Sequence, residues 1–490
     1  MNNMISWGIS ANSHDAAITV VDKHNTILFA AQSERYSRKK NDAHLHHDLI
    51  SDALYFGKPD EVVWYENPFT KTFRQFMSGQ GWLGKENNFR DYLLKYNIDP
   101  KYLTFGNHHE SHAAGGYYTS LFPDAAILVI DAIGEFDTTT IWEGKNKKLH
   151  KKFSVKYPHS LGLWYSAMTQ RVGLKPNEEE YILMGMAAYG DASKYAPIIL
   201  EDFFDTKHDL KLKENLHRGC KWWRRELSSE QDKYDIAAAT QFVYELYFHD
   251  LLHKAKELVP SDNLVLAGGC ALNCVANSIA HTYFKNVWIM PNPGDAGNSL
   301  GAVAAQRKQS MLFNNAFLGH DIKGKYPAEQ LVDALKKHKI VGIANGRAEF
   351  GPRALGHRSL LADPRGPEIK DKVNEIKRRQ KFRPFAPAIL KKEASNYFHM
   401  CTSESPYMQY TMQCKKPDEF PAIIHHDGSS RVQTVSEYDS PGFNKFLKLW
   451  EQETGCPMIL NTSLNIRGKP MVNTIEDATE FSNVYDILVL

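Results

Sequence analysis

The chain opens with apolar runs separated by short polar turns. ISWGIS is followed by NSHD, then by AAITVVD and TILFAAQSE, a pattern that predicts strand, tight loop, strand, turn and strand. The pattern recurs over residues 125–144, AAILVIDAIGEFDTTTIWEG, where an acidic-glycine turn again separates two strand-like runs. Residues 232–259 read as the clearest helix: Ile236, Ala239, Val243 and Leu246 recur at helical spacing, and Lys254 and Lys256 sit near the end where cations favour the helix dipole. The run LVLAGGCALNCVANSIA then predicts a buried strand, a glycine turn and a helix. Such a turn can expose backbone N–H groups to a phosphate, and an ordinary tight turn is the alternative. Two hairpin units and this glycine turn predict a duplicated α/β core. LGHDIKGKYPAE, residues 318–329, breaks the apolar pattern and marks a boundary before a second, Arg- and Gly-rich region with strand-like runs of its own.

Composition narrows the class. With 25 Phe, 23 Tyr and 9 Trp in 490 residues, the chain has ample core material and is not disordered. Lys and Arg total 59 against 57 Asp and Glu, so the formal charge of +2 argues against wholesale electrostatic binding to nucleic acid. The six cysteines form no CxxC pair, which excludes the usual zinc-ribbon and thioredoxin spacings and fits a reducing compartment. No basic leader precedes an apolar stretch, and no segment approaches the ~20 apolar residues of a membrane helix. A cytoplasmic protein without membrane association is expected.

Several residue sets can carry chemistry. In NHHESHAAGGYY, His108 and His112 are four apart, hence on one helix face and able to share a metal, while His109 faces elsewhere. A polar surface helix is the alternative, and the motif lacks the glutamate of a zinc protease. Asp131 and Asp295 lie where the chain leaves apolar strands, positions that suit a metal ligand and equally a turn or cap. His14 stands in the first loop beside Asp15, able to act as a base or simply solvated. Arg347, Arg353, Arg358, Lys377, Arg378, Arg379, Lys381 and Arg383 are embedded among Phe, Pro, Gly and Ala, and Arg431 and Ser463 follow. A basic anion pocket is the natural reading.

Taken in order, GISANSHDAA, NHHESHAA, NEEEYILMGMAAYG, LAGGCALN, PGDAGNSLGA, GRAEFGPRALGHRSLLADPR, FRPFAP, DGSSRVQTV and NTSLN resemble the O-carbamoyltransferases, a family of nodulation-factor and antibiotic-tailoring enzymes such as those for tobramycin and cephamycin. The resemblance runs from about residue 5 to 470. It implies an α/β protein with an N-terminal actin-like, ASKHA-type duplicated domain over 1–322 and a C-terminal YrdC-like domain over 323–490. The latter would make carbamoyl-adenylate from carbamoyl phosphate and ATP, and the former would transfer the carbamoyl group to an acceptor hydroxyl. By the same resemblance, His108, His112, Asp131 and Asp295 hold a divalent metal, iron(II), and Mg2+ accompanies ATP. Lys377, Arg383 and Ser463 contact carbamoyl phosphate. Gly268, Gly269, Asn273, Arg353, Met408 and Arg431 line the nucleotide, and His14 serves the transfer. These roles make chemical sense, because cations must neutralise the two phosphorylated substrates and an enclosed route protects an adenylate from water.

Two positions depart from the family pattern: Ile182 stands in place of lysine and Gln380 in place of glutamate. The expected acceptor is a small molecule or nucleotide bearing a hydroxyl, with a hydroxymethylated pyrimidine in DNA as the alternative. KWWRREL (221–227), SRKK (37–40) and KNKKLHKK (145–152) are the basic segments a DNA acceptor would use, or else solvated faces. A non-catalytic ATP-binding regulator and a sugar kinase are the rival functions. Oligomeric state is not legible.

Overall fold

The two runs that open the chain become the strands Ser6–Ser10 and Ala17–Val21, in a computed structural model that describes residues 4–77, 87–205 and 210–490. By contact the chain divides into two compact units: residues 1–12, 18–26 and 57–312, and residues 13–17, 27–56 and 313–490. The expected boundary was 322/323; here the long C-terminal stretch begins at 313, joined by two pieces from the chain's start. Arginines within the second unit tie those pieces down. Arg347 Nη2 donates to the carbonyl of Leu28 at 2.8 Å, and Arg35 Nη2 to that of Gly351 at 2.7 Å.

The first unit repeats one topology. Ala17–Val21, Ser6–Ser10, Glu61–Trp64 and Tyr102–Phe105 are neighbours in that order, the last three parallel. Asp137–Lys145, Asp124–Gly134, Asn263–Ala267 and Asn286–Ile289 follow the same order, again with the last three parallel. With these four strands of each sheet counted in chain order, the order 2-1-3-4 thus occurs twice, as the paired hairpin patterns predict. Two small-residue helices pack into the core, His108–Ser120 and Asn298–Arg307. They approach so closely that a Cβ on Gly115 would lie 3.2 Å from Gly301 Cα, and one on Gly301 would run into the carbonyl of Ser111. Close backbone approach outweighs the poor helix propensity of these glycines. The long helix runs Glu230–Leu258 and starts on a capping box between Ser229 and Asp232. The expected helix after the glycine turn is instead three short pieces over 269–282. Asn273 accounts for the break: its side chain accepts from Ala276 N and starts a new turn.

In the second unit, Ile340–Ala344, Arg358–Ala362, Met458–Ser463, Ala386–Leu390 and Gln433–Val435 form one sheet in that order. The helices Ala328–His338 and Pro441–Thr454 cover it through a core that includes Leu331, Leu335, Val341, Phe446, Trp450 and Ile459. The last residues pair beside Ile340–Ala344, with Ala344 N donating to Leu490 O at 2.8 Å. Among the described residues, no helix is long and apolar enough to cross a membrane.

Candidate functional site

The helix His108–Ser120 begins beside the end of Asp124–Gly134, the central strand of its sheet. Its first turn is fixed by Glu135, whose carboxylate accepts from His108 N at 3.2 Å and Asn67 N at 2.6 Å, a favourable place for negative charge. Helical spacing then puts His108 and His112 on one face, their Nε2 atoms 3.2 Å apart. Asp131 enters from Asp124–Gly134 at the point where that strand's register shifts, and a bulge there re-aims a side chain. Asp295 enters from a short turn after Gly294. His108 Nε2 lies 3.1 Å from Asp131 Oδ2 and 3.3 Å from Asp295 Oδ1, and His112 Nε2 lies 3.7 and 3.4 Å from the same atoms. All four residues are buried, and one ligand atom from each lies within 4.8 Å of the rest.

These separations match a metal. Donors held about 2.0–2.1 Å from one ion at tetrahedral angles are about 3.3 Å apart. Imidazole and carboxylate together suit first-row divalent ions. Two imidazole nitrogens facing each other need a proton or a cation between them, and the two carboxylates supply the balancing charge. Burial alone would lower both histidines, but Asp295 and Asp131 outweigh it and raise His108 well above its ordinary value. His112 is raised for the same reason, and Asp131 is held well below the carboxylate range by the two imidazoles in spite of burial. A metal ion would replace the shared protons.

Glycines shape the surround. Gly269 N donates to Asp131 Oδ1 at 3.2 Å, holding the carboxylate's other oxygen. Gly268 adopts φ +89°, and a Cβ there would strike the carbonyl of Ile130. A Cβ on Gly134 would overlap the His108 ring. His109, by contrast, turns away: its Nδ1 meets Thr140 Oγ1 at 2.9 Å, and burial pushes its pKa well below the usual value.

The second unit brings together Lys377 and Ser463. Lys377 is buried, and its Nζ donates to the carbonyl of Ser463, to Asn465 O at 2.9 Å and to Asn465 Oδ1 at 2.9 Å, with Ser463 Oγ at 3.2 Å. Burial, then the positive charges of Arg379, Arg383 and Lys40, pull the Lys377 pKa well down, so Arg383 lies within electrostatic reach. Arg353 occupies a loop whose backbone is gripped by buried side chains. Glu349 accepts from Leu355 N, His357 N and Arg358 N at 2.8, 3.0 and 3.2 Å, while Asn461 and Gln433 hold the carbonyls of Ala354 and Leu355. Met408 is buried in a left-handed turn at φ +58°, and Arg431 ends the strand Ser429–Arg431 with a buried Nε that has no partner.

Other residues find different uses. Arg347 and Arg358 belong to no anion pocket: both spend their guanidinium groups on backbone carbonyls. Asn273 exchanges hydrogen bonds with Gln241 at 3.0 and 3.2 Å besides its capping role. Ile182 is a core residue. In KWWRREL, Trp223 is buried with its Nε1 on Asp202, and Trp222 is half exposed. His14 is 47 % exposed, its Nδ1 3.3 Å from Asp15 Oδ2. Sequence reasoning missed Glu66, Lys71 and Glu135, buried or half-buried neighbours of His108; the signal available was a carboxylate directly after the buried run EVVWY.

Comparison with known proteins matches residues 6–304 to the carbamoyltransferase N-terminus and residues 332–490 to the carbamoyltransferase C-terminus. An uncharacterised protein of Synechocystis is 33 % identical over 96 % of this chain and 93 % of its own length. The 3'-hydroxymethylcephem-O-carbamoyltransferase of Amycolatopsis lactamdurans is 25 % identical over 95 % of this chain and 94 % of its own. Among solved structures, the HypF of T. kodakarensis aligns with a TM-score of 0.34 at 12 % identity, over 62 % of this chain and 48 % of that one.

Proposed function

The chain belongs to the carbamoyltransferase family and is a transferase, and from that premise we propose an ATP-dependent O-carbamoyltransferase that acts through carbamoyl-adenylate. The observation that carries the reading is the presence in one chain of a buried two-histidine, two-aspartate cluster and a buried lysine flanked by arginines and a serine. In the activation step, water cleaves carbamoyl phosphate to carbamate and phosphate, a carbamate oxygen attacks the α-phosphorus of ATP, and pyrophosphate leaves. Lys377, Arg383 and Ser463 would hold the carbamoyl phosphate, while Arg353 and Arg431 would neutralise charge growing on the ATP phosphates, which arrive with Mg2+. Ammonium binding by backbone and side-chain oxygens keeps Lys377 in place until an anion exchanges for part of that cage.

In the transfer step an acceptor hydroxyl attacks the carbamoyl carbon and AMP leaves. The proton goes to His14: with Nδ1–H directed at Asp15, Nε2 is the atom that accepts it. The adenosine side would rest on the turn Gly268–Gly269 and on Asn273. A divalent ion on His108, His112, Asp131 and Asp295 would supply Lewis-acid polarisation and an anchor for anionic oxygen. That donor set accepts iron(II), manganese(II) or zinc(II) alike. The actin-like character of the first domain and the YrdC-like character of the second belong to this proposal. So does a small-molecule or nucleotide acceptor, a reading in keeping with the hydroxymethylcephem named for the Amycolatopsis relative.

The test is mass spectrometry after incubation with ATP, carbamoyl phosphate and two acceptor panels, hydroxylated small molecules with nucleotides in one and hydroxymethylated DNA in the other. A carbamoyl mass gain on the first panel, with AMP and pyrophosphate lost in K377A, supports the reading. A gain on DNA alone would turn KWWRREL into a recognition segment. ATP turnover independent of carbamoyl phosphate would overturn the reading in favour of a kinase.

A further inference from the structure

His108 uses one ring nitrogen toward the cluster and leaves the other unexplained. Its Nε2 faces Asp131, Asp295 and His112. Its Nδ1 is buried, 2 % exposed as a residue, and has no hydrogen-bond partner. The nearest carboxylate is Glu66, with Oε2 at 3.8 Å from Nδ1 and Oε1 at 2.5 Å from Lys71 Nζ. Glu66 is itself 4 % exposed. Lys71 donates a further bond to Asn12 O at 3.3 Å, so the ammonium is tethered from the chain's first loop and in turn orients the carboxylate.

We propose that Glu66 is a positioning residue for the metal ligand His108: it accepts a hydrogen bond from Nδ1–H, fixes the tautomer with Nε2 free to ligate, and turns the ring toward the cluster. The inference rests on the metal reading of His108, His112, Asp131 and Asp295. A ligating Nε2 cannot carry hydrogen, so Nδ1 must, and a buried N–H without an acceptor costs about 1–3 kcal/mol. Glu66 is the carboxylate in range. A shift of the ring or carboxylate by about 1 Å brings 3.8 Å to hydrogen-bond distance, about 2.9 Å. Carboxylate behind histidine behind metal is an arrangement that raises ligand basicity, and its loss lowers metal affinity by about 10–100-fold.

The test is calorimetric and optical titration of the metal-free full-length chain with Co(II). Wild type is expected to bind one equivalent, and E66A to bind about 10–100-fold more weakly. E66Q, whose amide oxygen still accepts a hydrogen bond, is expected to lie between them. In the Co(II)-loaded wild type an exchangeable, paramagnetically shifted imidazole N–H signal should be protected from water, and in E66A that signal should broaden or vanish. This readout separates positioning from stability, which is followed by thermal melts of the metal-free proteins. Should E66A fail to fold, the E66Q affinity and the N–H signal decide. Wild type and E66A binding equally, with the N–H signal unchanged, would overturn the role of Glu66 and leave the metal reading intact. Failure of wild type itself to bind Co(II) or Mn(II) would overturn the metal reading and this inference with it.

Discussion

Arg358 and Lys377 are both cations in the core of one unit, and their partners assign them different work. Arg358 is 0 % exposed, and its three nitrogens bond the carbonyls of Asn473, Asn345, Gly346, His357 and His320. It is a clamp on loops. Lys377 is held by oxygens yet crowded by Arg379, Arg383 and Lys40, so an incoming anion relieves strain. Its depressed pKa has a measurable sign: the lysine must be charged to hold an anion, so the KM for carbamoyl phosphate should rise with pH well before an ordinary lysine titrates near about 10.4. Pyrophosphate release measured from pH 6.5 to 10 checks this, and a flat profile refutes it. His357 gives a second residue-scale prediction. Burial lowers its pKa to about 4, against 6.5 when unfolded, while its ring stacks on Phe317. The unfolded chain therefore binds the extra proton between those values, and stability falls as pH drops from 6.5 toward 4, by about 1.4 kcal/mol per pH unit and about 3 kcal/mol in all. Urea unfolding at pH 7 and pH 4.5 should show a smaller acid loss in H357F, which keeps the stacking. Residues also mark how far a sequence can be read. His108 and His112 were legible because four-residue spacing guarantees a shared face. Glu66 was not, because only folding brings it to His108, and nothing within the motif FGPRALGHR distinguishes the half-buried Arg353 from the clamp Arg358.

At the scale of elements, the small-residue helices define the first unit. A glycine-to-alanine change inside a helix ordinarily gains about 1 kcal/mol from propensity. At Gly301 the new methyl would meet the carbonyl of Ser111, a backbone atom that cannot swing aside. Overpacking of this kind costs about 1–3 kcal/mol or more, so it wins. G301A should lower the melting temperature; a rise would show that the two helices can part without cost. G134A tests the neighbouring element differently. Its methyl would press on the His108 ring, so Co(II) affinity should drop while the sheet stays intact by circular dichroism. The elements themselves were largely legible: the paired hairpins follow strand alternation, and the helix expected at 232–259 lies at 230–258. The segment 269–282 was not, since Asn273 caps a new turn within what reads as continuous helical sequence. Local propensity favours one helix there, and a single side-chain hydrogen bond divides it.

At the scale of the molecule, the interruption at LGHDIKGKYPAE lies inside the second unit, a few residues past the change of unit at 312/313, and nothing in it reveals the contribution of residues 27–56. Those residues carry Arg35, bonded to Gly351, and Leu28, bonded to Arg347; Arg38 Nη2 reaches Pro470 O at 3.2 Å. Long-range partners of this kind leave no local pattern. A fragment of residues 313–490 should therefore be poorly soluble or molten, and co-expression of residues 1–312 should restore it. Urea unfolding of the fragment with full cooperativity would refute this.

The same feature sets a timetable during synthesis. Residue 56 leaves the ribosome 257 residues before residue 313, the interval between the two stretches of one unit. At about 5–20 residues per second, that is a wait of about 13–51 s before the C-terminal stretch of the unit begins to emerge. Through that interval a nascent segment bearing Phe29, Arg35 and Leu49, all buried in the finished protein, lacks the long C-terminal stretch of its own unit. It is the stretch most dependent on chaperones holding it, and slowing translation across 57–312 should reduce the soluble yield more than slowing it after 313.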